Sequence, residues 1–293
     1  SSVTRPFDQN GSASRTKSPH LWSCSTAVII SRMSGCQPVN SARHCSAEAF
    51  SFHRAYDRVS DWKLYQRSGT SANLTLPFFY RSAQAATLTV DVLLSSTGQP
   101  VPGTAQQRLD LPAAEAGQSA KMVLAAVPQG GDYDLRAVLK RADGAQLGTD
   151  TVKNVAVGDV FLAIGQSNMT GFAPLEPAEA PTAQVHLFGN DYYWKQGAEP
   201  MDGGDDQVDR VSEEVPEHSL MLRFAKEIAA ATAVPVAIIP GPRYGTSIED
   251  WARSDARPQD RGTYYGSAIY RTIAQGFGGA IRGVLWWQGE GNA

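Results

Sequence analysis

At Gly158 the hydrophobic pattern of this chain changes its period, and no other feature constrains the fold as strongly. Before that point apolar residues alternate with polar ones. Leu88, Val90 and Val92 are interleaved with Thr87, Thr89 and Asp91, and Tyr133, Leu135, Ala137 and Leu139 follow the same rule. Successive side chains of a strand point to opposite faces. A period of two therefore marks antiparallel strands with one face in a core and the other in water. Turn sequences separate the runs, among them Ser96–Pro100, Gln129–Asp132 and the pair Asp143-Gly144. Short strands at this spacing, with no helical stretch among them, predict a small antiparallel β-sandwich over residues 57–157.

After Gly158 the apolar residues run on without interruption, as in Val160–Ile164 and Val234–Ile239, and again over Ile281–Trp287. Such runs are expected of strands buried on both faces. Between them, Leu222, Ala225, Ile228 and Ala229 fall on one face of a helix predicted over Leu220–Ala231, and a second helix is predicted over about residues 267–277. Strand, helix, strand, helix, strand implies parallel pairing through right-handed crossovers, hence an α/β domain over residues 158–293. Chemistry in such sheets sits at the carboxyl ends of the strands.

A length of 293 residues fits two cores. The first 56 residues fit neither. They hold twelve Ser, six Lys or Arg against two acids, and all three cysteines, Cys24, Cys36 and Cys45. This arm carries +4 of a total of −3, so the remainder carries −7. Ser-rich sequence without periodicity buries too little apolar area to offset the ordering entropy of ~1–2 kcal/mol per residue, and a disordered leader is expected. The run Ala27–Ile30 is too short for a signal-peptide core. An odd number of cysteines at these gaps matches neither a disulfide framework nor a zinc site. A pI near 6.0 lacks the basic footprint that nucleic-acid binding leaves. No run approaches the ~20 apolar residues that span a bilayer. Between Asp191 and Glu217 stand nine acids against Lys195 and Arg210. Without EF-hand spacing these are expected to form a solvated loop and no metal site. Its Tyr192, Tyr193 and Trp194 are expected to overhang the active site.

Each of the three buried strands runs into a polar motif. The first is followed by Gly165-Gln166-Ser167-Asn168-Met169. A Ser at such a point is either an N-cap or a nucleophile lifted off the strand end, and Met169 stands where the Gly-x-Ser-x-Gly elbow would have its second Gly. The second motif is Gly241-Pro242-Arg243-Tyr244-Gly245-Thr246-Ser247-Ile248 with Trp251 beyond. It is either an ordinary turn or a loop that aims a glycine N–H at an oxyanion. The third is Trp286-Trp287-Gln288-Gly289-Glu290-Gly291-Asn292, whose amides either tie loops together or donate to developing charge.

In this order and at these sheet positions, the three motifs resemble the sialate O-acetylesterase-type branch of the SGNH hydrolases, to which carbohydrate esterase family 6 is similar. The resemblance covers about residues 155–293. It implies a parallel-sheet, flavodoxin-like three-layer domain, often preceded by a β-sandwich in bacterial relatives. It implies an O-acetylated carbohydrate as substrate, no cofactor, and a secreted or periplasmic enzyme by substrate class. Ser167 matches the nucleophile. The N–H groups of Ser167 and Gly245 and the amide of Gln288 match the oxyanion hole, with Asn292 as the alternative donor. Trp194, Trp251, Trp287 and Glu290 are the expected substrate-binding residues. The sequence departs from the pattern at Tyr244, where a Gly is usual and a ring would crowd the hole, and at Gly291, where a Ser is usual. Family members also carry an Asp-x-x-His that supplies the base and its orienting group. None of His20, His44, His53, His186 or His218 follows an acid by three positions. His186 reads as a core or surface residue of a strand, and His218, just before a helix, as a poor surrogate base. The expectation is that the dyad lies beyond Ala293, leaving the esterase domain incomplete and the chain as given catalytically impaired. The alternative is a non-catalytic glycan-binding protein on a hydrolase-like scaffold.

Overall fold

The structure, a computed structural model, describes residues 49–54, 59–174, 179–212, 215–277 and 280–293. The expected leader, with its cysteines, His20 and His44, lies outside the described residues except for its last part. There the expectation is corrected. Strand β1 (Ala49–Phe52) pairs antiparallel with β3 (Ser71–Ser82). The reason is aromatic. Phe52 is buried in the sandwich core, and Phe50 packs on Phe78 with ring centroids 5.7 Å apart.

β6 (Ala114–Pro128) completes a three-stranded antiparallel sheet in the order β1-β3-β6. Facing it are β4 (Ala86–Leu94), β5 (Gln107–Leu111) and β7 (Gly130–Arg141), all antiparallel. The period-two residues do what the pattern predicts. Leu74, Leu76, Phe78 and Tyr80 of β3 meet Leu88, Val90, Leu135, Ala137 and Leu139 in one buried cluster, while their neighbours point outward.

Gly158 lies inside a strand rather than at its edge. β8 (Gln146–Gly165) runs unbroken for 20 residues through both kinds of pattern. Its first part pairs antiparallel with β7 and, over Ala156–Gly158, parallel with β2 (Leu64–Gln66). Its last part pairs parallel with β11 (Val236–Pro240) on one side and with β12 (Gly283–Trp287) on the other. With β9 (Val185–Phe188) and β10 (Trp194–Gln196) the mixed sheet has nine strands, in the order β10-β9-β11-β8-β7-β4-β5 with β2 and β12 also on β8. A Cβ on Gly158 would stand 2.0 Å from the Pro235 carbonyl oxygen, so the approach of β11 requires glycine there.

The junction is held by charge. Arg67 donates from Nε and Nη2 to the two oxygens of Asp159 at 2.9 and 2.8 Å, and its backbone N–H donates to Gly158 O at 2.9 Å. The Asp159 side chain is 4% exposed. Its hydrogen bonds hold the Arg67 guanidinium above its ordinary pKa.

Side chains of β8 and β11 alternate between two separate clusters, one per face of the sheet. Val160, Leu162, Ile164, Ala237 and Ile239 lie with Ala268 of α3 (Tyr264–Ala274). Ala163, Val236 and Ile238 lie with Met221, Leu222 and Ala225 of α2 (Met221–Thr232). The α/β half is thus a sheet with a helix on either face, and the described residues together form a mixed α/β fold rich in strands. α3 begins three residues earlier than its periodicity predicts because Thr263 Oγ1 caps it, accepting from Gly266 N at 3.0 Å. Among the described residues no helix is long and apolar enough to cross a membrane.

Candidate active site

The three polar motifs meet where β11, β8 and β12 end side by side. β8 finishes at Gly165, and Ser167 opens a single helical turn, α1 (Ser167–Thr170). Gly165 is needed twice over. Its φ is +134°, and a Cβ would stand 2.0 Å from Trp287 O. Gln166 is buried and donates its backbone N–H to Trp287 O at 2.8 Å, which sets the end of β12 against the start of α1. Ser167 itself is half-buried. Among the described residues neither its hydroxyl nor its backbone N–H has a hydrogen-bond partner.

The loop after β11 is tied to this point by Arg243 N, which donates to Gly165 O at 2.9 Å. Thr246 is buried. Its hydroxyl donates to Arg243 O at 3.0 Å and accepts the Trp251 indole N–H at 3.1 Å. Gly245 takes a left-handed φ of +72°, and its N–H has no acceptor among the described residues. Tyr244, expected to crowd the hole, is 61% exposed and leans its ring on Phe172 at 5.5 Å.

The tail of β12 closes the cluster. Gln288 Nε2 donates to Thr246 O at 3.3 Å and to Asn292 Oδ1 at 2.8 Å, so both of its N–H groups are engaged inside the protein. Asn292 Oδ1 also accepts from Ile248 N at 2.8 Å, while Nδ2 donates one N–H to Glu249 at 2.9 Å. Of the two amides, Asn292 is the one with a second N–H to spare. Glu290 joins the first motif to the third. It accepts from Gln166 Nε2 at 2.6 Å, from Asn168 Nδ2, and from the Trp287 indole at 3.0 Å. Its own backbone N–H, followed by Asn168 and Trp287, lowers its pKa. Gly291 fits because a Cβ would stand 2.9 Å from Thr246 O, so the serine usual in this pattern would push on that loop.

Ser167, Gly245, Gln288, Asn292, Trp287 and Glu290 are therefore brought together. Two other expected residues are not at the surface. Trp194 is buried against Phe188 and Phe277, and its indole donates to Gln275 Oε1 at 2.7 Å. It is a core residue, because β10 turns it inward beside β9. Trp251 is likewise buried, supporting the Gly-Thr-Ser-Ile loop from beneath and packing edge-to-face on Trp286 at 5.4 Å. The aromatic side chains that do reach the surface here are Phe172, Tyr244, Trp286 and Trp287. Phe172 was missed because it belongs to no periodic run; its place directly after Gly171, outside any core pattern, was the available signal.

None of the described histidines is bonded to Ser167. His186 is buried in β9, its Nδ1–H donating to Trp62 O at 2.7 Å, and burial pushes its pKa down to about 4. His218 bridges Ala173 through its backbone, and its buried Nε2 has no hydrogen bond among the described residues. His53 contacts Ser119 Oγ at 3.3 Å in the sandwich. The acidic segment is not simply solvated. Asp202 is buried against Asn190 Nδ2 at 2.9 Å, and Asp209 accepts from Arg261, Tyr192 and Ser267. Among the described residues no three His, Cys, Asp or Glu side chains stand together as a metal site.

Residues 157–293 match the family described as carbohydrate esterase, sialic acid-specific acetylesterase. No curated protein matches the chain. Among solved structures it is similar to a carbohydrate acetylesterase from Xanthomonas citri, at 25% identity and a TM-score of 0.45 over 80% of this chain and 51% of that one. It is also similar to a protein from Arabidopsis thaliana, at 22% identity and a TM-score of 0.37 over 46% of this chain and 59% of that one. The chain thus spans about half the length of the Xanthomonas citri enzyme. The match to the sialic acid-specific acetylesterase family of carbohydrate esterases is thus confined to residues 157–293, the α/β half of the chain.

Proposed function

We propose that residues 157–293 form an SGNH-type esterase site that removes acetyl groups from O-acetylated sugars, sialic acids first, by serine acyl transfer. The observation that carries this is the convergence of Ser167 with two unengaged backbone N–H groups at adjoining strand ends. In this reading Ser167 Oγ attacks the acetyl carbonyl carbon, and the carbonyl oxygen takes the negative charge. The N–H groups of Ser167 and Gly245 hold that oxyanion. Asn292 supplies the third donor, because Gln288 spends both of its N–H groups on Thr246 and Asn292. Losing one such donor typically costs about 10²–10³ in turnover. The intermediate then collapses by breaking the bond to the sugar oxygen, and the sugar leaves as the alcohol. Water releases acetate from the acetyl-serine.

The step that lacks a partner is proton transfer. The Ser167 hydroxyl proton needs a base, and no imidazole among the described residues reaches it. Turnover through Ser167 is therefore expected to be slow, because the attacking hydroxyl has no base to take its proton. The test is release of p-nitrophenol from p-nitrophenyl acetate by the chain and by Ser167→Ala. A slow reaction that Ser167→Ala abolishes supports the reading. Fast turnover abolished by the same substitution would place a base within these residues. Release indifferent to the substitution would remove Ser167 from the chemistry and leave the glycan-binding alternative.

A further inference from the structure

Five of the large apolar side chains left in water among the described residues stand around this site. Phe172 (46% exposed), Tyr244 (61%), Ile248, Trp286 and Trp287 all stand at or just beyond the ends of β8, β11 and β12. Isolated exposed aromatics need no explanation, but a group of them around a polar cluster marks a binding surface. Within the group, Phe172 and Tyr244 differ from the two Trp residues. Trp286 packs on Trp251, and Trp287 is bonded to Glu290, so both are partly engaged by the protein. Phe172 and Tyr244 engage each other, with centroids 5.5 Å apart and planes at 72°. In an edge-to-face pair the partner covers at most one of the four ring faces. With Phe172 46% and Tyr244 61% exposed, ring surface remains open to a ligand.

The backbone places this pair with care. Gly171 N donates to Ser167 O at 2.8 Å, closing α1 so that Phe172 follows one residue after the turn that begins with Ser167. A Cβ on Gly171 would stand 2.3 Å from His218 O, so the exit of the chain toward Phe172 is fixed. Tyr244 sits between Arg243, tied to Gly165, and Gly245, the candidate oxyanion donor. The pair therefore bridges the loops that carry the candidate nucleophile and the candidate hole.

We infer that Phe172 and Tyr244 form the platform on which the sugar ring of the ester stacks, so that they, rather than Trp194 and Trp251, select a ring-bearing alcohol. The inference rests on the esterase reading of the same site. A pyranose presents one face of C–H groups and an edge of hydroxyls. Such a face packs on an open aromatic ring, as the same ring would pack on another side chain. The hydroxyl edge then points away, toward water or the polar loops. Tyr244, where the resemblance of the second motif implies a glycine, thereby gains a role in specificity.

The experiment is ligand-observed NMR titration of the full chain with an O-acetylated N-acetylneuraminic acid, beside the p-nitrophenyl acetate assay above. Phe172→Ala and Tyr244→Ala should each raise Kd on the order of tenfold, equivalent to one aromatic contact. Tyr244→Phe should bind as the native chain does, because the ring and not the hydroxyl is at work. Tyr193→Ala, in the aromatic stretch of the acidic loop, should leave binding unchanged. Both truncations are at exposed positions, and circular dichroism verifies their folding. Absence of binding by the native chain, or Kd values within twofold in both alanine variants, overturns the platform even if Ser167→Ala abolishes the esterase reaction. An effect of Tyr193→Ala that exceeds theirs also overturns it. Conversely, p-nitrophenol release indifferent to Ser167→Ala fails the esterase reading while the titration still reports on the platform.

Discussion

Strands β11 and β12 flank β8 on opposite sides, run parallel to it, and are similarly apolar, yet their surroundings differ. Every residue of β11 is buried, and β9 continues the sheet beyond it. On β12, Val284 is 53% exposed, Trp286 42% and Trp287 46%, and among the described residues no strand pairs with its far edge. Apolar sequence therefore makes a strand, but cover is a property of what lies next to it. The covered flank should carry the stability of the α/β half, and the open flank little of it. Each of the following measurements tests that division.

The largest effect is expected where the covered side is pinned to the sandwich. Arg67→Ala would leave the Asp159 carboxylate buried without its two charge-assisted hydrogen bonds. Arg282, 4.0 Å away, is too distant to replace them. Removing one partner of a buried pair typically costs about 3–5 kcal/mol. Urea unfolding should show a loss of this size. A loss below about 1 kcal/mol would mean that Asp159 finds another partner and that the junction is not pinned by this pair.

A matched pair of truncations compares the flanks directly. Ile238→Ala on β11 removes a fully buried side chain from the α2 face and should cost about 2–5 kcal/mol. Val284→Ala on β12 removes a side chain already half in water and should fall within about 0.5 kcal/mol of the native chain. Equal losses would show that the far edge of β12 is covered in solution.

The same contrast explains how much was legible beforehand. Period-two alternation and continuous apolar runs located the sandwich strands and the α/β strands, because those patterns follow from which faces a strand buries. That Ser167, Gly245, Gln288 and Asn292 lie together was legible because motif order along the chain translates into adjacency at strand ends. What could not be read was the partner of each side chain. Trp194 and Phe172 both lie in sequence without a strand or helix period, Trp194 at the end of an aromatic run and Phe172 directly after Gly171. One is turned into the core by a three-residue strand, and the other is left on a loop. No periodicity distinguishes them, and the glycine before Phe172 is the one local cue. Gln288 was assigned the oxyanion by motif position, and only its contacts with Thr246 and Asn292 show that its N–H groups are spent. The β1 strand was hidden for a related reason. Four residues at the end of a Ser-rich arm become a strand only because β3 offers an edge and Phe78 a ring.

His186 gives the covered flank a pH signature of its own. It lies on β9 opposite Ala237 of β11, and burial lowers its pKa from 6.5 to about 4. The unfolded chain binds a proton at this residue below pH 6.5, whereas the folded chain does so only near pH 4. Stability from this residue is therefore complete above pH 6.5 and is lost as pH falls toward 4, by up to about 3 kcal/mol. Thermal unfolding followed from pH 7 to pH 4.5 should show a falling Tm. His186→Asn retains a donor for the Trp62 carbonyl but has no proton to gain, so it should flatten that decline while leaving Tm at pH 7 nearer the native value. An unchanged pH slope in His186→Asn would mean that the imidazole is reachable by water. The flank formed by β9 and β11 would then be no better sealed than β12.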